Sequence, residues 1–265
     1  MKTKKITQFF MFFFLNKEES KKVENKKHEK NVVTKVVSTL KKIFPHNFRY
    51  ENGEVNEGGR KTRFNWNIEA IKALKDVESE KRLATESEQK TMSRYAGWGG
   101  IPQAFDKNAK GWEKEYAELQ EMLTDEEYAN ARASVNNAFY TNPEIARAVN
   151  ETLTRFGLKK GNILEPSMGT GIFFGTMTEG EQKERKLYGV EIDPISGRIA
   201  KQLYQTSKIN ICGFENTTFS DNFFDAVIGN VPFGDFKVYD LRYAKYNFKI
   251  HDYFVAKSID LVRPG

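Results

Sequence analysis

The chain has 265 residues, enough for one domain of about 150 residues with a substantial core plus an accessory segment. Residues 1–60 hold 14 basic and 7 acidic residues and the remainder 28 and 29, so the net +6 is confined to the N-terminal end and a phosphate grip spread over the folded body is excluded. Cys212 is the single cysteine, which excludes an intrachain disulfide and a multi-cysteine metal site and fits a reducing cytoplasm.

Taken in chain order, Met1 to Leu15 begins like a secretory signal, with three lysines before the run Phe9-Phe10-Met11-Phe12-Phe13-Phe14-Leu15. No small-residue cleavage site follows and the run is too short to span a bilayer, so it reads as an adventitious leader, with no membrane partner expected. Residues 16 to about 60 are rich in lysine and glutamate and pass through the turn-forming run Glu51-Asn52-Gly53-Glu54-Val55-Asn56-Glu57-Gly58-Gly59, the pattern of a basic, mostly mobile arm.

Ile68, Ile71, Leu74 and Val77 recur at spacings of three and predict a helix from Asn67. Thr85-Glu86-Ser87-Glu88 has the spacing of a capping box and predicts a second over about 85–95. The segment Tyr95-Ala96-Gly97-Trp98-Gly99-Gly100-Ile101-Pro102 predicts a fixed loop anchored by Trp98. Helices are expected at 111–121 and, capped by Thr124 or Asp125, at 125–135. Thr141-Asn142-Pro143 then predicts the start of a helix running to Phe156. Short apolar strands at about 162–165, 187–191, 209–213 and 224–229 follow, separated by segments that can each hold a helix, and a last helix is expected over about 247–262. This alternation predicts an α/β, doubly wound parallel sheet behind an N-terminal helical extension.

Three strand ends carry chemistry. In Asn162-Ile163-Leu164-Glu165-Pro166-Ser167-Met168-Gly169-Thr170-Gly171 a strand runs into a glycine-rich turn that lets backbone approach a nucleotide-like ligand. A dinucleotide is the competing ligand. It prefers a third glycine where Phe174 stands, and the Glu165 carboxylate suits a cationic ligand better than a pyrophosphate. Glu191 ends the next strand, 22 residues beyond Gly169, at the spacing of an acid that accepts from ribose hydroxyls, and Ile192 can lie against an adenine face. The third motif, Phe224-Asp225-Ala226-Val227-Ile228-Gly229-Asn230-Val231-Pro232-Phe233-Gly234, is an apolar strand ending in Asn-x-Pro-Phe.

This last motif resembles the fourth motif of the S-adenosylmethionine-dependent amino-group methyltransferases, Asn/Asp-Pro-Pro-Tyr/Phe, with Val231 in place of the first proline. The resemblance implies S-adenosylmethionine as cofactor, and Asn230, Val231, Pro232 and Phe233 as the catalytic segment. An aromatic amine is a poor nucleophile. Two acceptors, the Asn230 side-chain oxygen and the Val231 carbonyl, would hold both its hydrogens and aim its lone pair, while Phe233 stacks on a base flipped out of the duplex. It also implies that Tyr140 and Thr141, ahead of the first strand, close the cofactor pocket with Glu165, Pro166, Gly169, Gly171, Glu191 and Ile192, and that Glu215 contacts the cofactor's adenine. The motif order is that of enzymes methylating adenine N6 in DNA. No metal site is expected.

The match extends to the amino-terminal portion of the large methylase-helicase proteins of conjugative elements and phages, which resemble this chain at Arg94-Tyr95-Ala96-Gly97-Trp98-Gly99-Gly100, Tyr188-Gly189-Val190-Glu191, Gly229-Asn230-Val231-Pro232-Phe233-Gly234 and His251-Asp252-Tyr253-Phe254. It implies three parts: an arm over 1–60, a helical extension with the Gly-Trp-Gly-Gly loop over 61–136, and over 137–265 a Rossmann-like methyltransferase domain truncated after about four strands. DNA is the implied partner and a helicase region is expected downstream. A bare apolar edge beside the fourth strand, marginal stability and little turnover of the isolated chain are expected. Two other readings stay open: methylation of a glutamine amide or RNA, and a DNA-associated or anti-restriction module without turnover. His251 and Asp252 are read as helix-start residues.

Overall fold

The computed structural model describes residues 45–51, 58–135 and 141–264. The leader, most of the arm and Tyr140 lie outside the described residues.

The helical extension contains α1 (Arg60–Ser79), α2 (Glu86–Met92), α3 (Glu113–Met122) and α4 (Asp125–Ser134). Helix α1 starts seven residues before the predicted Asn67, and Phe64, fully buried, continues its apolar face upstream of Ile68, Ile71 and Leu74. Helix α2 opens on the predicted capping box: the Glu88 N–H donates to the Thr85 hydroxyl, and the Glu88 carboxylate accepts from the Thr85 N–H at 2.8 Å. Thr124 and Glu127 repeat the device at α4.

Between α2 and α3 the Trp98 ring is 1% exposed, with ring centroids 6.0 Å from Phe64, 6.4 Å from Tyr95 and 5.4 Å from Phe105. The buried Asn67 side chain pins this loop. Its amide donates to the Gly97 carbonyl at 2.6 Å and its oxygen accepts from the Ala96 N–H at 2.8 Å.

The second half alternates: α5 (Pro143–Arg155), β1 (Gly161–Glu165), α6 (Ile172–Gly175), α7 (Glu179–Glu184), β2 (Arg185–Glu191), α8 (Pro194–Leu203), β3 (Lys208–Ile211), β4 (Ala226–Val227) and α9 (Ile250–Leu261). Asn142 caps α5 by accepting from the Glu144 N–H at 2.7 Å, with Pro143 in the first turn. All four strands are parallel, in the order β3-β2-β1-β4.

Successive side chains of a strand face opposite ways, so Ile163 and Leu164 enter two different cores. Ile163 and Leu187 pack with Ile199 of α8 and the apolar face of α1, whereas Leu164, Tyr188 and Val190 pack with Tyr253, Phe254 and Leu261 of α9. Helices cover both faces, as an all-parallel sheet requires. This is the expected α/β, Rossmann-like architecture, with four parallel strands among the described residues.

The structure differs from the sequence reading at two places. Residues 45–51, assigned above to the arm, are hydrogen-bonded into the folded body: the Phe48 N–H donates to the Leu203 carbonyl at 2.7 Å and the Tyr50 N–H to the Gly175 carbonyl at 2.8 Å. These partners lie more than a hundred residues downstream, where no local pattern could announce them. From Pro45 onward the helical extension and the sheet form one compact unit with a continuous core. Gln89 of α2 joins them by donating to the Gln202 carbonyl at 2.9 Å, and Arg198 of α8 pairs with Glu78 and Glu127.

The second difference concerns β4. Only Ala226 and Val227 pair with β1, opposite Ile163 and Leu164. Phe224, expected inside the strand, instead bridges in parallel to Val262 on the other side, and the Arg263 N–H donates to its carbonyl at 2.9 Å. The edge expected to be bare is therefore met at its start by the backbone that leaves α9. Beyond that bridge a cavity of about 710 Å³ opens beside Val227, Ile228, Val255 and Ile259. Among the described residues no helix is long and apolar enough to cross a membrane, and no cluster of three metal-ligating side chains occurs.

Candidate active site

The site forms at the carboxyl ends of β1, β2 and β4, where a parallel sheet presents its ligand crevice. Glu165 is the last residue of β1 and is 1% exposed, and its Oε2 has no hydrogen-bond partner among the described residues. Burial, reinforced by the nearby Glu191 carboxylate, holds its carboxyl well above the usual range.

The turn that follows is set by two glycines in the left-handed region, Gly169 with φ 54° and Gly171 with φ 83°. Gly171 is required twice over. An added Cβ would lie 2.4 Å from the buried Tyr204 ring, whose hydroxyl donates to the Gly171 carbonyl.

Glu191, at the end of β2, is half-buried and closes the turn: its Oε2 accepts from the Gly169 N–H at 2.6 Å and its Oε1 from the Asp193 N–H at 2.8 Å. Burial pushes its carboxyl up to about 7, against the pull of those two amides. Each oxygen keeps a second acceptor direction for a ligand hydroxyl. Ile192 follows, 72% exposed at the mouth of the crevice, an apolar face left uncovered by protein.

The Asn230-Val231-Pro232-Phe233 segment leaves β4 through Gly229, whose φ of 150° turns the chain. Its link to the glycine turn is Ser167, whose hydroxyl donates to the Asn230 carbonyl at 2.9 Å. That bond is made to the backbone of Asn230 and does not engage its exposed side chain or the Val231 carbonyl. The Phe233 ring is 69% exposed and stacks on His251, with centroids 5.9 Å apart and planes 27° from parallel. His251 stands in the first turn of α9, at the position the sequence reading gives it.

The structure thus brings together Glu165, Pro166, Gly169, Gly171, Glu191 and Ile192 with Asn230 through Phe233. Thr141 sits half-buried just ahead of α5, and no hydrogen bond joins it to Glu165, Gly169 or Glu191. Glu215 lies after β3 and folds over Gly213, where an added Cβ would lie 2.0 Å from its Oε1, while accepting from Asn216 at 3.1 Å. Sequence reasoning missed Ser167 and Tyr204 as site residues. Ser167 looks like a small turn residue until its partner 63 positions away is known, and Tyr204 is legible only as an aromatic at a helix exit.

A parallel sheet with a glycine turn after β1, an acid ending β2 and an Asn-x-Pro-Phe segment leaving β4 defines a Rossmann-like methyltransferase. The chain belongs to the N-6 DNA methylase family, whose model matches residues 119–259. It is 36% identical over 132 residues to the defense against restriction protein B of Escherichia phage P1, a match covering 48% of this chain and 6% of that protein. The chain therefore spans only a small part of the length of that curated relative.

Among solved structures it is similar to a putative class I S-adenosylmethionine-dependent methyltransferase from Listeria monocytogenes, at 16% identity and TM-score 0.44, over 78% of this chain and 71% of that one. It is also similar to the type I restriction-modification methyltransferase subunit from Streptococcus thermophilus, at 11% identity and TM-score 0.41, over 77% and 66% of the two chains.

The residues present fit S-adenosylmethionine. Its amino group is a cation for the buried, unpartnered Glu165 oxygen, its ribose offers hydroxyls to Glu191, and its adenine offers a flat face to Ile192. A pyrophosphate would place negative charge against two carboxylates.

Proposed function

We propose that this site binds S-adenosylmethionine and methylates the N6 amino group of adenine in DNA. The observation that carries this reading is the Ser167–Asn230 hydrogen bond, which joins the turn that would hold the cofactor to the segment that would hold the amine. Membership of the N-6 DNA methylase family supports the substrate.

S-adenosylmethionine supplies a methyl group on a cationic sulfur. Glu165 would hold its amino group and Glu191 its ribose hydroxyls, and Tyr140 and Thr141 are the residues that the family resemblance would have close the pocket. Glu215, which follows β3, would contact its adenine. Asn230 Oδ1 and the Val231 carbonyl accept the two hydrogens of the target amine and turn its lone pair out of conjugation with the ring. Pro232 stiffens the segment and Phe233 stacks on the flipped base. Valine keeps the carbonyl that this geometry uses, so its replacement of proline is compatible with the role.

The chain would act in the cytoplasm as the methylase portion of a longer protein that continues into a helicase region, and the match to 6% of the P1 relative supports a longer parent. The test is run on the longest reading frame that contains the chain. It is given methyl-labelled S-adenosylmethionine and DNA, and the digested DNA is analysed for N6-methyladenine. Label in adenine, lost in Asn230→Ala, supports the reading; label only in RNA or in protein glutamine overturns it.

A second reading is favoured by the name of the P1 relative, which speaks of defence against restriction. In that reading the module associates with DNA and protects it without turnover. Protection that survives Asn230→Ala would select it.

A further inference from the structure

Beyond the Asn-Val-Pro-Phe segment the chain does not return directly to the core. It forms a ribbon in which residues 235–237 run beside 247–250: the Ile250 N–H donates to the Phe236 carbonyl at 3.1 Å, Lys249 pairs with Asp235 at 2.6 Å, and Lys237 donates to the Asn247 side chain at 2.8 Å. The ribbon is pinned from beneath. The Tyr253 hydroxyl donates to Asp240 at 2.8 Å, Lys257 pairs with the same carboxylate at 3.1 Å, and the Tyr243 hydroxyl donates to Asp260 at 2.8 Å.

So firm a base should let a loop bury its aromatics, yet Phe236 is 48% exposed, Tyr239 75% and Tyr246 55%. Tyr246 is stacked on Phe248 with centroids 5.1 Å apart, and Lys245 lies 4.8 Å over its ring. Lys237 and Lys245 have no carboxylate partner among the described residues.

The strip starts at the site itself, because Phe233 stacks on His251 and the next residue back, Ile250, holds Phe236. Exposed rings interleaved with lysines that have no carboxylate partner among the described residues suit one class of partner. Bases stack on the rings and phosphates meet the lysines, which is how single strands are gripped without reading sequence. The body as a whole has no cationic excess, so a local strip is what a DNA-modifying domain of this composition needs.

We propose that the strip from Phe236 to Tyr246 is a binding track for single-stranded DNA flanking the target base; it rests on the DNA reading given above. The full chain is titrated into a short labelled single-stranded DNA and into its duplex, with fluorescence anisotropy as the readout. S-adenosylmethionine calorimetry on each variant reports whether the fold and pocket are kept.

The unmodified chain is expected to bind the single strand more tightly than the duplex. Tyr246→Ala and Tyr239→Ala each weaken single-strand binding by at least about fivefold, while cofactor binding is unchanged. Lys237→Ala combined with Lys245→Ala reduces the slope of log affinity against log salt by about 1.4, roughly 0.7 for each phosphate that is no longer neutralised. Absence of single-strand binding by the unmodified chain, unchanged binding in the tyrosine variants, or tighter binding to RNA of the same sequence overturns the proposal. If the variants lose strand binding but DNA is never methylated by the longer protein, the track stands and the catalytic reading falls.

Discussion

The Ser167 hydroxyl donates to the Asn230 carbonyl at 2.9 Å, joining the turn after β1 to the segment after β4 across 63 residues of sequence. The bond is on the backbone of Asn230, so it sets where the side chain starts without occupying the oxygen that would receive an amine hydrogen. Ser167→Ala should cost no more than about 1.5 kcal/mol of stability, the net worth of one such bond. It should lower kcat of methyl transfer by about tenfold, equivalent to ~1.4 kcal/mol, with little change in cofactor affinity. Ser167→Thr, which keeps the hydroxyl, should restore most of the rate. Steady-state kinetics with calorimetry checks this, and a loss of cofactor affinity in place of kcat would contradict it.

Glu165 and Glu191 face one crevice, and burial raises both carboxyls. A carboxyl raised in the folded state binds more protons there than in the unfolded chain. Its contribution to stability is therefore complete below the ordinary carboxylate range and is lost as pH rises through the folded value. For Glu191 that window runs up to about 7. The ligand-free protein should lose thermal stability as pH rises through this window. Glu191→Gln should flatten the profile, with its largest relative gain at the alkaline end. Thermal melts across pH would show this, and parallel profiles for the two proteins would count against it.

The same carboxyls make cofactor binding proton-linked. A cationic amino group favours the ionised form of Glu165, so the proton held there has to leave on binding. S-adenosylmethionine affinity should increase as pH rises above the ordinary carboxylate range, and calorimetry in buffers of different ionisation enthalpy should detect proton release. Glu165→Gln should reduce both the pH dependence and the release, leaving the part that belongs to Glu191. Release that is undiminished in that variant would place the proton elsewhere.

Gly171 combines φ 83° with a neighbouring ring that leaves no room for a Cβ. Gly171→Ala should cost at least about 1–2 kcal/mol from the backbone alone, with the displacement of Tyr204 adding to it. Gly180→Ala meets open space in α7 and serves as the neutral comparison. Denaturant melts of the two variants check the contrast.

Asn67 is fully buried and satisfies two backbone groups of the Trp98 loop. Asn67→Ala leaves the buried Gly97 carbonyl without its partner, at about 1–3 kcal/mol, and the half-buried Ala96 N–H without its own at less. Urea unfolding should show a loss of that order together with a change in tryptophan fluorescence. A loss below about 0.5 kcal/mol, the scale of an ordinary surface change, would show that the loop is held by other contacts.

Much of the molecule follows from local rules, and these were legible in the sequence. Thr85 with Glu88 and Asn142 with Pro143 mark helix starts because capping depends on residues within one turn. Short apolar runs separated by helical segments specify a parallel sheet, and the acid 22 residues after Gly169 does end β2, whereas its acceptance of that glycine's N–H was visible only in the structure. Strand limits were less legible. In β4 the apolar run continues past the paired residues, and Phe224 pairs with a neighbour that sequence alone could not assign.

Local rules settle the chemical groups and the order of the elements that carry them: the glycine turn, the strand-end acids and the Asn-Val-Pro-Phe segment. Three other relationships arise only from packing. Ser167 reaches Asn230, Phe48 and Tyr50 join a body whose partners lie far downstream, and Asp240, Tyr253 and Lys257 brace an exposed aromatic ribbon. The difference between the two sets is separation along the chain. Propensity, capping and periodicity act over a few residues, whereas these contacts exist only once the sheet has brought distant segments together.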